Sequence, residues 1–203
     1  MYRNIVLGFL ILVFLAGCGA RHRYNMLVEK ELASGIRHDS LFLGITFGMS
    51  KKEFYSHCWK LNKQGLIRQG PGNATVLYVF NDLKEPAEMN FYPKFYKGSI
   101  WKMPVKYSYQ AWAPWNTSLC SDSLVSDLVS DFEKIYGKKF IEVNSPRAGK
   151  IYYTIDGNRK ISVYKGNNEK DAWAIFTDLT VESEANRNTG KKTEDNIKGA
   201  DSL

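Results

Sequence analysis

The sequence predicts an α+β fold in which two helix-then-three-strand units form one antiparallel sheet, with both helices packed on one of its faces. Three observations carry this expectation. Two segments with apolar residues at helical spacing, 50–64 and 121–137, each begin at capping residues and stop at a glycine. Each is followed by runs rich in β-branched and aromatic residues joined by short turns, which implies antiparallel pairing. Each helix has a single apolar stripe to cover, which places both on the same face of the sheet.

The chain opens on Met1-Tyr2-Arg3-Asn4 and an apolar run from Ile5 to Leu15, followed by the small residues Ala16 and Gly17 and then Cys18. A cationic start, an apolar stretch short of the ~20 residues a spanning helix needs and a small-residue cleavage zone describe a removed signal peptide over 1–17. Residues 18–40 are polar and basic, with one Met26-Leu27-Val28 cluster, and read as a tether with a helical turn or two. The body is expected over 41–180, with pseudo-repeats at about 41–115 and 116–180. The tail from 181 to 203 contains almost no apolar residues and cannot repay ordering entropy.

In the first helix, Ser50 and Glu53 stand at capping-box spacing, and Met49 and Phe54 occupy the two positions of a hydrophobic staple. Phe54, Cys58 and Leu61 form its stripe, widened by Tyr55 and Trp59, and Gly65 stops it. The second helix is capped by Ser121 or Asp122, carries Leu124, Leu128, Phe132 and Ile135 on its stripe, and ends at Gly137. Strands are expected at 75–80, around 91–96, and at 100–112, where Trp101, Met103, Val105, Tyr107 and Tyr109 alternate with polar neighbours. Three more follow at 150–155, 160–164 and 172–176, with Asp156-Gly157 as the hairpin turn between the first two.

Two resemblances follow from these residues. Leu15-Ala16-Gly17-Cys18 resembles the lipobox of bacterial lipoproteins, which implies a diacylglycerol thioether on Cys18, cleavage before it and acylation of the new amine. A thiol suits that position because its thiolate is a good nucleophile near neutral pH, and two or more acyl chains, at ~0.8 kcal/mol per buried methylene, anchor firmly. Gly19 stands where the family's inner-membrane retention signal has aspartate, so the resemblance implies an outer-membrane address in a host with two membranes. The segment Leu43 to Phe54, with its Gly48-Met49-Ser50 step, resembles the helix opening of small lipoproteins of the outer-membrane barrel-assembly machinery and of β-lactamase-inhibitor-like repeats. Those families imply non-catalytic protein-binding modules. The greater length and doubling of this chain mean that no specific partner transfers.

Charge and chemistry narrow the classes further. The chain has 28 basic and 21 acidic residues, of which the leader holds only Arg3, so the mature net charge is +6. An exported address turns that balance away from nucleic acid and toward an anionic bilayer or an acidic glycan. Once Cys18 is lipidated, Cys58 and Cys120 remain in a compartment that permits disulfides. Two readings stay open for them: a bridge stabilising by roughly 4 kcal/mol, or thiols acting as small core hydrophobes.

No constellation of catalytic residues emerges. His57 and Cys58 are adjacent on a helix and point ~100° apart, so they cannot face each other. Asp127, Asp131 and Glu133 read as a solvated helix face, and neither a metal nor a cofactor is expected. The acid-free stretch from Asn90 to Ser121 is the candidate binding surface. It offers Lys94, Lys97, Lys102 and Lys106 together with Trp112 and Trp115, which flank Pro114 beyond the strand. The expected function is that of a membrane-anchored envelope lipoprotein binding another protein without catalysis. The alternative is a surface lipoprotein that binds glycan through exposed aromatics and lysines.

Overall fold

The computed structural model describes residues 19, 21–146 and 149–187. The elements in chain order are α1 (21–33), α2 (Lys51–Lys63), β1 (Ile67–Gln69), β2 (Val76–Phe80), β3 (Ala87–Phe91), β4 (Lys94–Tyr96) and β5 (Ser99–Tyr109). They continue with α3 (Ser121–Tyr136), β6 (Ile141–Ser145), β7 (Gly149–Asp156), β8 (Arg159–Lys165), β9 (Asp171–Asp178) and α4 (179–187). No helix among the described residues is long and apolar enough to cross a membrane.

All nine strands join one sheet in the order β1-β2-β3-β5-β9-β8-β7-β6, with β4 as a side hairpin on β5, and every pairing is antiparallel. Each unit thus runs from an edge inward, and the two units meet where β5 pairs β9, from Lys102↔Thr177 to Ser108↔Asp171. Each helix precedes four main strands where the sequence predicts three. The additional strands, β1 and β6, are the outermost of the sheet. They escape sequence reading because an edge strand buries little: only Ile67 is buried in β1, and no residue of β6 is.

The expected α+β layering holds for α2 and α3. Phe54 of α2 and Leu124, Val125, Leu128 and Phe132 of α3 share one core with Met103, Val105, Tyr107 and Tyr109 of β5. Cross-strand partners share a face. Phe91, Met89 and Ala87 of β3, and Phe176, Ala174 and Ala172 of β9, therefore complete the same apolar layer.

Local chemistry sets the helix ends. Ser50 Oγ accepts from the Glu53 amide at 3.2 Å, and Glu53 Oε2 accepts from the Ser50 amide at 2.8 Å, closing the capping box. Gly137, at φ 66°, ends α3 in the left-handed conformation a side chain would resist. The cap of α3 differs from expectation: Cys120 holds the position and makes no side-chain capping bond, while the Ser121 amide donates to the Glu169 carbonyl at 2.8 Å. Ile135 also leaves the expected stripe. It is 56% exposed, because burial follows Leu124, Val125, Leu128 and Phe132 instead.

Strand boundaries shift for covalent reasons. The expected strand at 91–96 is two elements, Phe91 closing β3 and Lys94 opening β4, with Pro93 between them. A bulge opposite Lys94 and Phe95 breaks the alternation of β5, so Ile100 joins the main core and Trp101 is buried outside it.

The largest departure lies on the opposite face of the sheet. The segment read as a tether winds into α1, whose Tyr24, Leu27, Val28 and Leu32 pack on Tyr153, Ile155 and Val143. Tyr24 meets Tyr153 edge-on at 5.6 Å between ring centres and accepts a hydrogen bond from Lys160 Nζ at 3.0 Å. Residues 181–187, expected to be unordered, are helical: Glu182 pairs with Lys160 at 2.8 Å and Glu184 with Lys97 at 2.8 Å. Cys18 and the tail beyond 187 lie outside the described residues.

Candidate functional site

A groove of about 550 Å³ opens between α2 and the β1–β2 edge. The capping box sets where α2 begins, and Phe54, fully buried, fixes its rotation about the helix axis. Rotation of ~100° per residue then carries Tyr55 and Trp59, one position beyond Phe54 and Cys58, out of the core and over the groove. Trp59 is 62% exposed and Tyr55 47%. Both were expected to widen the core stripe; a helix with only one fully buried residue has no room beneath it for them.

Tyr92, at the end of β3, closes the wall. Its hydroxyl lies 2.5 Å from that of Tyr55, and this bond, reinforced by burial, pushes the Tyr92 phenol up to about 12. Phe54 and Phe95 hold the Tyr92 ring edge-on at 6.1 and 6.4 Å. Lys51 and Lys63 stand over the Tyr55 and Trp59 rings at 5.8 and 5.3 Å. The groove is thus aromatic in its walls and cationic at its rim, and it opens beside β1, which among the described residues pairs on one side only. Cys58 lies in the lining, and burial pushes its thiol up to about 11, which keeps little of it as thiolate near neutral pH. His57 Nε2 is 2.6 Å from the Leu43 carbonyl, away from the thiol.

A second cleft, of about 320 Å³, lies on the opposite sheet face, between the 71–75 loop and β5, and is lined by Asn90, Tyr92, Pro104, Lys106 and Trp173. Lys106 pairs with Asp171 at 3.7 Å, and Asn90 Oδ1 and Thr75 Oγ1 are buried without a hydrogen-bond partner.

The candidate surface expected from Asn90 to Ser121 does not converge. Lys102 and Lys106 point to the face opposite α2 and α3, and Lys94 stands opposite Lys102 on the same face. Burial lowers the Lys102 ammonium pKa, and its Nζ lies over the Trp101 ring at 5.3 Å. Lys97 sits at the β4–β5 turn, tied to Glu184, while Trp112 and Trp115 lie past the other end of β5. Eleven residues of strand separate them, roughly 35 Å. Trp112 is half-buried under Lys170, whereas Trp115 is 86% exposed. Cys58 and Cys120 are both free thiols, so the bridged reading is not realised.

Asp127 and Asp131 do not lie on a purely solvated face. Asp127 accepts from the Tyr109 hydroxyl and pairs with Lys84 at 3.0 Å, and burial raises the Asp131 carboxyl. Sequence reasoning missed Tyr55, Trp59 and Trp173 as surface aromatics, while Tyr92 lay within the acid-free stretch it offered as a binding surface. For the first two a signal exists, since an aromatic pair at i, i+4 offset by one residue from the buried pair describes a second face. No protein-family model matches the chain, and neither a curated protein nor a solved structure matches it.

Proposed function

We propose that this chain is an envelope lipoprotein, anchored through acylated Cys18, that binds another protein without catalysis through the groove between α2 and the β1–β2 edge. The observation that carries the binding is the joint exposure of Tyr55, Trp59 and Tyr92 around one concavity beside an unpaired strand edge. Large aromatics exposed together in a pocket are the side chains that dominate protein interfaces, and a free strand edge supplies backbone donors and acceptors. Lysines at the rim favour an acidic border on the partner. A photoreactive residue at Tyr55 or Trp59 of the full chain in living cells tests this. One discrete protein adduct is expected from either position and none from Lys139, and the same protein should co-purify stoichiometrically in mild detergent and be lost with Trp59→Ala. No adduct at either position, or co-purification indifferent to Trp59→Ala, overturns the reading.

The second cleft favours an alternative. The Trp173 ring and the Lys106 ammonium line this one cleft, a stacking surface beside a polar group, which suits a sugar. Retention on immobilised polysaccharide that disappears with Trp173→Ala supports it, and no retention excludes it.

A further inference from the structure

We infer that the sheet end bearing Trp115 faces the bilayer and that the Trp115 indole enters the lipid interface; this rests on the acylation of Cys18 proposed above. The direction of α1 carries the argument. Its Tyr24 packs on Tyr153, midway along β7, and Glu31 accepts from the Gly157 amide at 3.0 Å, just past the end of β7. The helix therefore runs the same way as β7, and its first residue, Arg21, lies toward the Gly149 end of the sheet.

Strand register places Trp115 at that same end. Ile151↔Tyr164, Lys165↔Ala172 and Ser108↔Asp171 align the start of β7, the end of β8, the start of β9 and the end of β5. Trp115 lies six residues beyond the end of β5. Strands β7, β8, β9 and β5 are successive neighbours, so three spacings of about 4.8 Å set the lateral offset between α1 and this loop, roughly 15 Å. The three residues from Cys18 to Arg21 span at most about 11 Å. With α1 docked on the sheet, no longer tether remains, and this end cannot move far from an anchored sulfur.

The chemistry of the end fits a lipid surface. Trp115 is the most exposed large apolar side chain among the described residues, and an indole with an apolar body and one N–H donor settles at the headgroup level. Arg21, Arg23 and Lys170 supply positive charge at this end of the sheet. Among the acids there, Asp122 and Glu169 share Lys165 at 3.0 and 3.1 Å, Glu142 pairs with Lys150 at 2.9 Å and Asp171 with Lys106 at 3.7 Å. Asp82 and Glu85 occupy the β2–β3 loop on the far flank, which centres the contact on the β5, β9 and β7 part.

The test uses the full acylated protein, its acyl mass verified, in vesicles of phosphatidylethanolamine and phosphatidylglycerol containing a chain-brominated lipid. Intrinsic tryptophan fluorescence should be quenched, the quenched part should fall by at least half in Trp115→Phe, and Trp59→Phe should leave it unchanged. Acylated protein whose quenching is the same with and without Trp115 overturns the docking and leaves that indole to a protein or a glycan. Absence of the acyl mass instead overturns the Cys18 reading, and the docking falls with it.

Discussion

Replacing Tyr24 by alanine should release α1 from the sheet while the rest of the domain stays folded. The side chain makes an edge-on contact with Tyr153, worth about 0.5–1.5 kcal/mol beyond its buried area. It also accepts a hydrogen bond from the Lys160 ammonium, a bond to a charged group worth about 1.5–3 kcal/mol. The loss is therefore roughly 2–4 kcal/mol of docking free energy. Lys160 keeps Glu182 as a partner at 2.8 Å, so no buried charge is stranded and the damage stays local. A segment of this length has little helical stability alone, so undocking amounts to unfolding α1. Hydrogen exchange of the amides at 24–33 should accelerate by roughly 30- to 800-fold, with the strands of the core unchanged. Unchanged protection of those amides would refute the packing of α1, and with it the short reach from Cys18 to the sheet.

Three further outcomes follow from particular contacts. Asn158→Ala removes the acceptor of the His38 amide at 2.6 Å and the donor to Asp39 at 2.9 Å in a nearly closed site, and should cost about 2–4 kcal/mol in urea unfolding; a loss under 1 kcal/mol contradicts it. Leu128→Ala, fully buried in α3, should cost about 2–5 kcal/mol, whereas Ile135→Ala should stay within about 0.5 kcal/mol, and equal losses would restore the stripe expected from sequence. The Cys58 thiol, pushed up to about 11, should be alkylated at pH 8 roughly 100-fold more slowly in the folded than in the unfolded chain. A thiol that holds its proton more tightly when folded contributes its stability fully below the unfolded value, so stability should decline from about pH 9 toward 11, and less steeply in Cys58→Ala.

How much of this was legible in the sequence depends on how much each segment buries. The Ser50–Glu53 capping box, the Asp156-Gly157 turn and the alternation along β5 state their own geometry, because local hydrogen bonding and a two-residue period dictate them. The strands β1 and β6 are silent, since Arg68, Gln69, Ile141 and Glu142 face solvent and leave no apolar period to read. Helix α1 sat in plain view as Tyr24, Leu27, Val28 and Leu32, an i, i+3, i+4, i+8 stripe, but charged residues on the other face made it resemble a tether. The candidate site was least legible. Lys94, Lys97, Trp112 and Trp115 are close in sequence, yet a strand of roughly 35 Å runs between the two ends they occupy. Trp59 and Tyr92 are distant in sequence, and only the packing of α2 against the β3 end brings them to one groove.

The anchor proposed at Cys18 would set the address and the orientation together, and the mass of the N-terminal peptide of the mature protein tests it directly. A peptide that begins at Cys18 and carries the added mass of a diacylglyceryl group and an amide-linked acyl chain is the predicted result. A peptide that begins elsewhere, or one whose Cys18 is an unmodified thiol, would contradict the account.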